Sequence, residues 1–173
     1  MPLLIDRQLV ENKWVFINPE EGQQSSDLVV GIEYLLIPYA LIEEIAILNL
    51  EAMGPQLLGV QINGDDDISD LAKWLPQLTL IAIEFPVFRD GRGFSLARQI
   101  RRLGYQGELR AVGHFGRDQL GYLQRCGFNA FDFNGDIPTE ELVQAFDEIS
   151  FHYQGAADDP RPIYRQEIIS ELS

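Results

Sequence analysis

Residues 78–99 read LTLIAIEFPVFRDGRGFSLARQ, and this one stretch contains the signals of a strand, a turn and the start of a helix. Its first eight residues are almost continuously apolar, which predicts a β-strand buried on both faces, as in a parallel sheet. Pro86 ends the hydrogen-bonding ladder, and the glycines of DGRG (90–93) favour a tight turn. The apolar residues that follow recur at helical spacing, so the stretch predicts one βα unit.

Similar strand–loop–helix units occupy most of the chain from residue 57 onward. Four apolar strands are predicted, at 57–62, 78–85, 109–112 and 130–133. Helices are predicted around 68–74, from the DGRG turn to Gly104, at 117–126 and at 140–149. This alternation indicates a mostly parallel sheet with right-handed crossovers. We therefore predict an α/β fold of repeated βα units, either half of a βα barrel or an open doubly wound sheet.

The N-terminal segment predicts a small β-hairpin, in which Leu3–Ile5 pairs with Trp14–Ile17 across a polar turn. Pro38 is typical of the first turn of a helix, and apolar spacing carries that helix toward Gly54. A chain of 173 residues fits one domain. The predicted organisation is a hairpin arm at 1–18, a single βα domain at 34–152 and a loosely ordered acidic tail at 153–173.

Composition narrows the class of protein. Apolar residues make up 46% of the chain and charged residues 23%, which is typical of a folded domain. There is no apolar run of about 20 residues and no signal peptide, so we expect a cytoplasmic protein without a membrane segment. Cys126 is the only cysteine, and the two histidines lie far apart. The sequence therefore shows no metal site and no cofactor-binding signature.

The charge distribution is uneven. The net charge is −14, which argues against binding to nucleic acid. Residues 89–125 nevertheless contain eight arginines, no lysine and three acids, giving +5 against −19 for the rest of the chain. A localised basic region on an acidic body predicts a surface for an anion or an acidic partner. Alternatively, these arginines lie on solvated helix faces.

The DGRG turn has the chemistry of an anion site. A helix N-terminus offers unpaired N–H groups, and arginine forks can hold an oxyanion. Ser95 is a candidate N-cap, and Asp90 is the alternative. A second turn, GRD (116–118), follows the next strand and should lie beside the first. The candidate anion- or partner-binding residues are Arg89, Asp90, Gly91, Arg92, Gly93, Ser95, Arg98, Arg117 and Asp118.

Catalytic residues are unknown from the sequence, with His114 and Glu84 as the candidates. Glu84 lies at the end of one predicted strand, and His114 follows the next. Together with the arginines and Asp132, they could converge at one edge of the sheet. Three features also have a purely structural explanation. Asp90 would pair with Arg92 in a simple turn, the NGDDD loop (63–67) would be a solvated acidic loop, and Cys126 would be a buried structural thiol.

Several motifs resemble a known family. They are EFP (84–86), DGRG (90–93), the SLAR helix start (95–98), GELRAVG (107–113), RDQL (117–120) and RCGF-x-AF (125–131). Together they resemble an uncharacterised bacterial family whose genes are found beside those of assimilatory sulfite reductase and sulfate-activating enzymes. Members are labelled as oxidoreductases of sulfite reduction. The chain departs from the family where lysine is common at Val87 and where Gly-Asp is common at Gly113-His114.

The resemblance implies a pathway more firmly than a reaction. It predicts an accessory protein of sulfur assimilation that binds sulfite reductase, or the electron donor of that enzyme, through the arginine-rich edge. Whether the chain is itself an oxidoreductase or a subunit of one stays open. The first alternative is a small enzyme or sensor that binds a phosphorylated or sulfated metabolite at the same edge. The second is a nucleotide- or flavin-dependent oxidoreductase.

Overall fold

The computed structural model describes residues 3–18, 31–45, 57–133 and 139–146. The predicted tail at 153–173 and the predicted end of the Pro38 helix lie outside these residues. Eight strands occur in the described part. They are β1 (Leu3–Ile5), β2 (Gln8–Val10), β3 (Val15–Phe16), β4 (Tyr34–Pro38), β5 (Leu57–Ile62), β6 (Leu78–Phe85), β7 (Glu108–Gly113) and β8 (Ala130–Asp132).

The strands form one sheet in the order β2-β1-β8-β7-β6-β5-β4-β3. From β3 to β8 the strands are neighbours in chain order, and every pair among them is parallel. β1 is antiparallel to both β8 and β2. Because right-handed crossovers between strands laid down in order all return on the same side, the helices cover one face. The fold is therefore a half-barrel, and the doubly wound alternative does not apply.

The connection between the two edge strands shows why the sheet curls. β2 and β3 lie at opposite edges, yet only residues 11–14 separate them in the chain. A flat sheet of eight strands at about 4.8 Å spacing would place its edges about 34 Å apart. The connection spans at most about 19 Å, at about 3.8 Å per Cα step. The sheet must curl to bring its edges within this reach.

The described residues include the α-helices α1 (Arg92–Arg102), α2 (Leu120–Cys126) and α3 (Thr139–Gln144). Gly104 and Gly127 follow the first two with φ of +91° and +114°, which confirms the predicted helix stops. Single 3₁₀ turns occupy Tyr39–Leu41, Leu71–Lys73, Leu75–Gln77 and Arg117–Gln119, and residues 42–45 are α-helical. Within the described ranges, no helix is long and apolar enough to cross a membrane.

Alternate residues of each strand face two different layers. On β6, Ile81, Ile83 and Phe85 belong to the large core beneath the helices. Leu80 and Ala82 face the interior of the half-barrel, where they pack with Leu36. The predicted burial of this strand on both faces is thus confirmed.

Residues 11–14, which we call the interior strap, cross the concave side of the sheet. Trp14 packs on the Leu36–Leu80–Ala82 cluster. Asn12 Oδ1 accepts hydrogen bonds from the backbone N–H of Trp14 and from Nη1 of Arg110, both at 3.1 Å. The strap therefore covers part of the interior of the half-barrel.

Two N-terminal and loop predictions are wrong in detail, and the Pro38 prediction is incomplete. The hairpin pairs β1 with β2, whereas Val15–Phe16 lies at the far edge of the sheet beside β4. The tight turn at Asp6 and Arg7, with φ of 48° and 66°, lacks the Asn-Gly or Asp-Gly signal that marks such turns. Pro38 is the last residue of strand β4, which was not predicted, and it also precedes the 3₁₀ turn Tyr39–Leu41 and the α-helical residues 42–45, so the predicted helical start at this proline is confirmed. The predicted helix at 68–74 is instead a 3₁₀ turn, Leu71–Lys73, followed by a second one.

Candidate functional site

The two glycine–arginine turns lie side by side at the carboxyl edge of the sheet. β6 and β7 are parallel neighbours, and the N–H of His114 donates to the carbonyl of Phe85 at 2.8 Å. The ring of Phe88 lies against Gly116, so close that an added Cβ there would be 3.0 Å from Cε2. The predicted adjacency of the turns is confirmed.

Within the first turn, Arg92 is held by carboxylates of this chain. Its Nη2 lies 2.7 Å from Asp90 Oδ2, and its Nη1 contacts Asp65 of the NGDDD loop. Asp90 Oδ1 also accepts from the backbone N–H of Arg92 at 3.0 Å. These hydrogen bonds lower the pKa of the Asp90 carboxyl to about 2. An outside anion at this turn would have to displace Asp90 or Asp65.

The same geometry decides which residue caps α1. The helix begins at Arg92, so Ser95 lies within its first turn, and the Ser95 cap prediction is wrong. The Asp90 alternative is not observed either, because the cap position is occupied by Gly91, without a side-chain cap hydrogen bond. Asp90, one residue earlier, accepts a hydrogen bond from the first helical N–H. Negative charge at a helix N-terminus is also favourable.

The two glycines of DGRG have different surroundings. A Cβ on Gly93 would lie 2.7 Å from Cζ of Phe85, whereas a Cβ on Gly91 would meet nothing within 4 Å. Gly93 therefore lets α1 pack closely on the Phe85 ring, and the space beside it is filled by this chain. Gly91 has φ −85° and ψ −5°, a backbone conformation open to any residue.

Two further arginines of the basic segment serve the fold. Arg101 donates to the carbonyls of Gly127, Tyr105 and Gly107 at 2.8, 2.8 and 3.0 Å. Arg110 is 1% exposed, faces the interior, and its Nε donates to Glu108 Oε1 at 2.7 Å. Part of the positive charge in residues 89–125 therefore forms hydrogen bonds within the molecule and is not available to a partner.

A set of exposed side chains remains on the loop after β6 and on the α1–α2 layer. Val87, Phe88 and Tyr122 are 58%, 54% and 53% exposed, and Arg89 and Arg98 are also exposed. Neither of these arginines forms an ion pair with another residue in the described part of the chain. We call Val87, Phe88, Arg89, Arg98 and Tyr122 the aromatic–arginine face.

Tyr122 connects the two helices of this face. Its ring lies 5.0 Å from that of Phe94 on α1, and Phe94 in turn contacts Phe85 at 5.3 Å in the core. The Cys126 thiol, followed by partial burial, raises the pKa of the Tyr122 phenol, and the neighbouring Arg98 acts in the opposite direction. The exposed ring thus sits on a rigid aromatic stack beside a cation.

The remaining candidates share the edge of the sheet but do not converge. Nε of Arg117 donates to the carbonyl of Glu141 at 3.2 Å, toward α3. His114 and Asp118 are exposed. Glu84 points to the other side, into the half-barrel, where Gln61 Nε2 donates to its Oε2 at 3.0 Å. Cys126 is buried, and among the described residues no group of three or more His, Cys, Asp or Glu side chains could hold a metal ion.

The sequence did not indicate a cavity of about 290 Å³ at the carboxyl ends of β3 to β6. Its lining includes Phe16, Tyr39, Gln61, Asn63, Asp66 and Glu84. These residues come from four separate segments of the chain, so no local motif marks the site. From the sequence, only Glu84 at the end of β6 and the acidic NGDDD loop are recognisable as carboxylate-bearing segments of this site.

Comparison with known proteins gives one match. The sequence model of a family described as bacterial protein of unknown function (DUF934) matches residues 59–164. This range spans β6 to α3 and contains both arginine turns. No curated protein and no solved structure matches the chain.

Proposed function

This chain belongs to the DUF934 family of bacterial proteins of unknown function, and we propose that it is an accessory protein of assimilatory sulfite reduction. It binds sulfite reductase, or the electron donor of that enzyme, through the aromatic–arginine face. The EFP, DGRG and RCGF motifs resemble those of a family encoded beside assimilatory sulfite reductase, and this resemblance supports a role in that pathway. The observation that carries the binding mode is the exposure of Phe88 and of Tyr122, with Arg98 next to Tyr122.

The chemistry of this face suits a protein partner. Aromatic side chains and arginine dominate the energetic centres of protein interfaces, and arginine forms forked hydrogen bonds with carboxylates. Arg89 and Arg98 are cationic on a chain whose net charge is −14. An acidic partner would be repelled by most of this surface and drawn to these residues, which would fix the orientation of the complex.

The proposed role is one of binding. The sequence shows no cofactor-binding signature, so the redox chemistry would belong to the partner. Tyr122 is held against the core, because its ring contacts Phe94 and Phe94 contacts the buried Phe85. A preformed aromatic anchor loses little conformational entropy on binding.

A pull-down from the native cell extract, with this chain as bait and mass spectrometry as readout, tests the proposal. We expect sulfite reductase or its electron donor to be recovered with the wild type. The double variant Phe88→Ala/Arg98→Glu should lose it. The matched control is Phe88→Ala/Lys13→Glu, which makes the same change in charge at an exposed lysine of the interior strap.

The control separates the two contributions of the face. Loss of the aromatic anchor alone should weaken binding about tenfold or more, and the added loss of Arg98 should remove the remainder. Recovery of neither protein with the wild type, or equal recovery with the Arg98 variant and its control, would refute the proposed surface.

The metabolite alternative remains a second proposal for the same edge. Arg89 is exposed there, and Asp65, which is 80% exposed, is the more displaceable partner of Arg92. A thermal-shift screen of adenylyl sulfates, nucleotides, sulfate and sulfite tests it, because a ligand that binds only the folded state raises the melting temperature with its concentration. A shift with a nicotinamide or flavin nucleotide would instead support the oxidoreductase alternative.

A further inference from the structure

The cavity at the carboxyl ends of β3 to β6 is built by the half-barrel itself. It has a volume of about 290 Å³, near the lower limit of about 300 Å³ for small-molecule sites. In sheets of parallel strands, ligand sites form beyond the carboxyl ends, where loops from neighbouring strands meet. Size and position therefore suit a small metabolite.

The polar lining of the cavity is acidic. Glu84 and Asp66 supply two carboxylates from different elements, and none of the described residues that line the cavity is a lysine, arginine or histidine. Arg92 of α1 contacts the NGDDD loop, but its charge is already paired with Asp65 and Asp90. An anionic ligand would therefore meet uncompensated repulsion, whereas a cation would find charge of the opposite sign.

Glu84 is oriented but not saturated. Its Oε2 accepts from Gln61 at 3.0 Å, and within the described residues Oε1 accepts no hydrogen bond. The side chain is only partly buried, so the carboxylate stays accessible. A carboxylate that lines a cavity and is held by one donor is suited to accept a charge-assisted hydrogen bond from a ligand.

Aromatic walls add to this preference. Phe16 and Tyr39 line the same cavity, and aromatic ring faces attract cations. Partial burial, followed by the nearby carboxylate of Asp70, raises the pKa of the Tyr39 phenol. Tyr39 therefore stays a neutral hydrogen-bonding group at physiological pH.

We propose that this cavity binds a small organic cation, with Glu84 as the anchor of its ammonium or guanidinium group. Gln61 orients the carboxylate, Asp66 adds a second negative charge, and Phe16 and Tyr39 enclose the apolar part of the ligand. An N–H donor group suits the site better than a bare metal ion, since the described residues include no three-ligand group. This site shares no residue with the aromatic–arginine face and stands independently of the proposed function.

Isothermal titration calorimetry with chosen probes tests the proposal. The cationic probes are agmatine and 1,4-diaminobutane, and the matched neutral and anionic probes are 1,4-butanediol and succinate. We expect saturable binding of at least one cation and no binding of the other two compounds. Glu84→Gln, which keeps the size of the side chain, should weaken binding at least about tenfold.

The control variant is Glu43→Gln, an identical chemical change at an exposed glutamate that does not line the cavity. It should bind like the wild type. Asp66→Asn gives a second, independent test and should weaken binding in the same direction. The proposal is overturned if neither cation binds when it is present at about 100-fold excess over the protein. It is also overturned if succinate binds as tightly as the cations, or if Glu84→Gln binds the cations with wild-type affinity.

Discussion

The two glycines of the DGRG turn give a matched pair of substitutions with opposite expected effects. Changing either glycine to alanine removes backbone freedom from the unfolded chain, which stabilises the protein by about 0.4–1 kcal/mol where the native conformation allows it. Gly91 meets that condition, because an added Cβ has no neighbour within 4 Å and the hydrogen bond from the Arg92 N–H to Asp90 does not involve it. We therefore expect Gly91→Ala to raise the free energy of unfolding.

Gly93→Ala carries an additional penalty. The new Cβ would lie 2.7 and 2.8 Å from two ring atoms of Phe85 and 3.2 Å from Cγ2 of Ile83. The Phe85 ring is 2% exposed and is held by three neighbouring rings, so it cannot move aside. Overpacking of this kind costs about 1–3 kcal/mol. The entropy gain is common to both variants, so their difference isolates the clash.

Urea denaturation followed by circular dichroism measures that difference. Gly93→Ala should be less stable than Gly91→Ala by about 1–3 kcal/mol, and its melting temperature should be lower by about 2–4 °C for each kcal/mol. In a Phe85→Leu background the penalty of Gly93→Ala should shrink, because the obstructing ring is gone. Equal stability of the two single variants would refute the assignment of Gly93 to helix packing.

Three further predictions follow from buried or paired groups. Arg110→Ala should cost about 2–4 kcal/mol, because it leaves Glu108 without its partner; the exposed Arg102→Ala should change the free energy of unfolding by less than about 0.5 kcal/mol in the same denaturation assay. The pKa of Asp90 is lowered from 3.8 to about 2 by Arg92, so the charge of Asp90 stabilises the fold above pH 3.8, and that contribution is lost as the pH falls through about 2. The urea midpoint of Asp90→Asn should accordingly lie below that of the wild type at neutral pH, with a gap that closes on acidification; a constant gap would contradict the pairing. The Cys126 thiol, 1% exposed, should react with a thiol reagent only as fast as the protein unfolds, and rapid reaction in the native state would show that it is not buried.

The central βα units could be predicted because each of their strands is a continuous apolar run. β5, β6, β7 and β8 lie within one or two residues of the predicted strands, and Gly104 and Gly127 end the helices as expected. The half-barrel could not be separated from a doubly wound sheet, since that choice depends on spatial order. It is decided by the short interior strap between the two edge strands, which no periodicity reveals.

The N-terminal strands were harder to predict for local reasons. β4 carries YLLI directly before Pro38, and that proline both ends the strand and precedes a helical turn, so the helix signal hid the short strand. β3 has two residues, too few to show a period of two. The turn at Asp6 and Arg7 places two residues other than glycine in the left-handed region. That turn has no sequence signature, so the pairing of the hairpin was misassigned.

The candidate sites show the same division between local and long-range information. The adjacency of the two arginine turns follows from parallel strand order and was predicted. The interior position of Arg110 could have been inferred, because it alternates with the buried core residues Leu109 and Ala111 along β7. The pairing of Arg92 with Asp65 and the acidic cavity could not, since both join residues distant in the chain.

The most direct test of the proposed function is a binding titration with purified components. Fluorescence anisotropy of the labelled chain would be followed as sulfite reductase, or separately its electron donor, is added at low and at high salt. We predict saturable binding to one of them, weakened by salt, lost in Phe88→Ala/Arg98→Glu and partly retained in Phe88→Ala/Lys13→Glu. Absence of binding to both proteins at low salt, or identical binding by the two double variants, would contradict the assignment of the aromatic–arginine face.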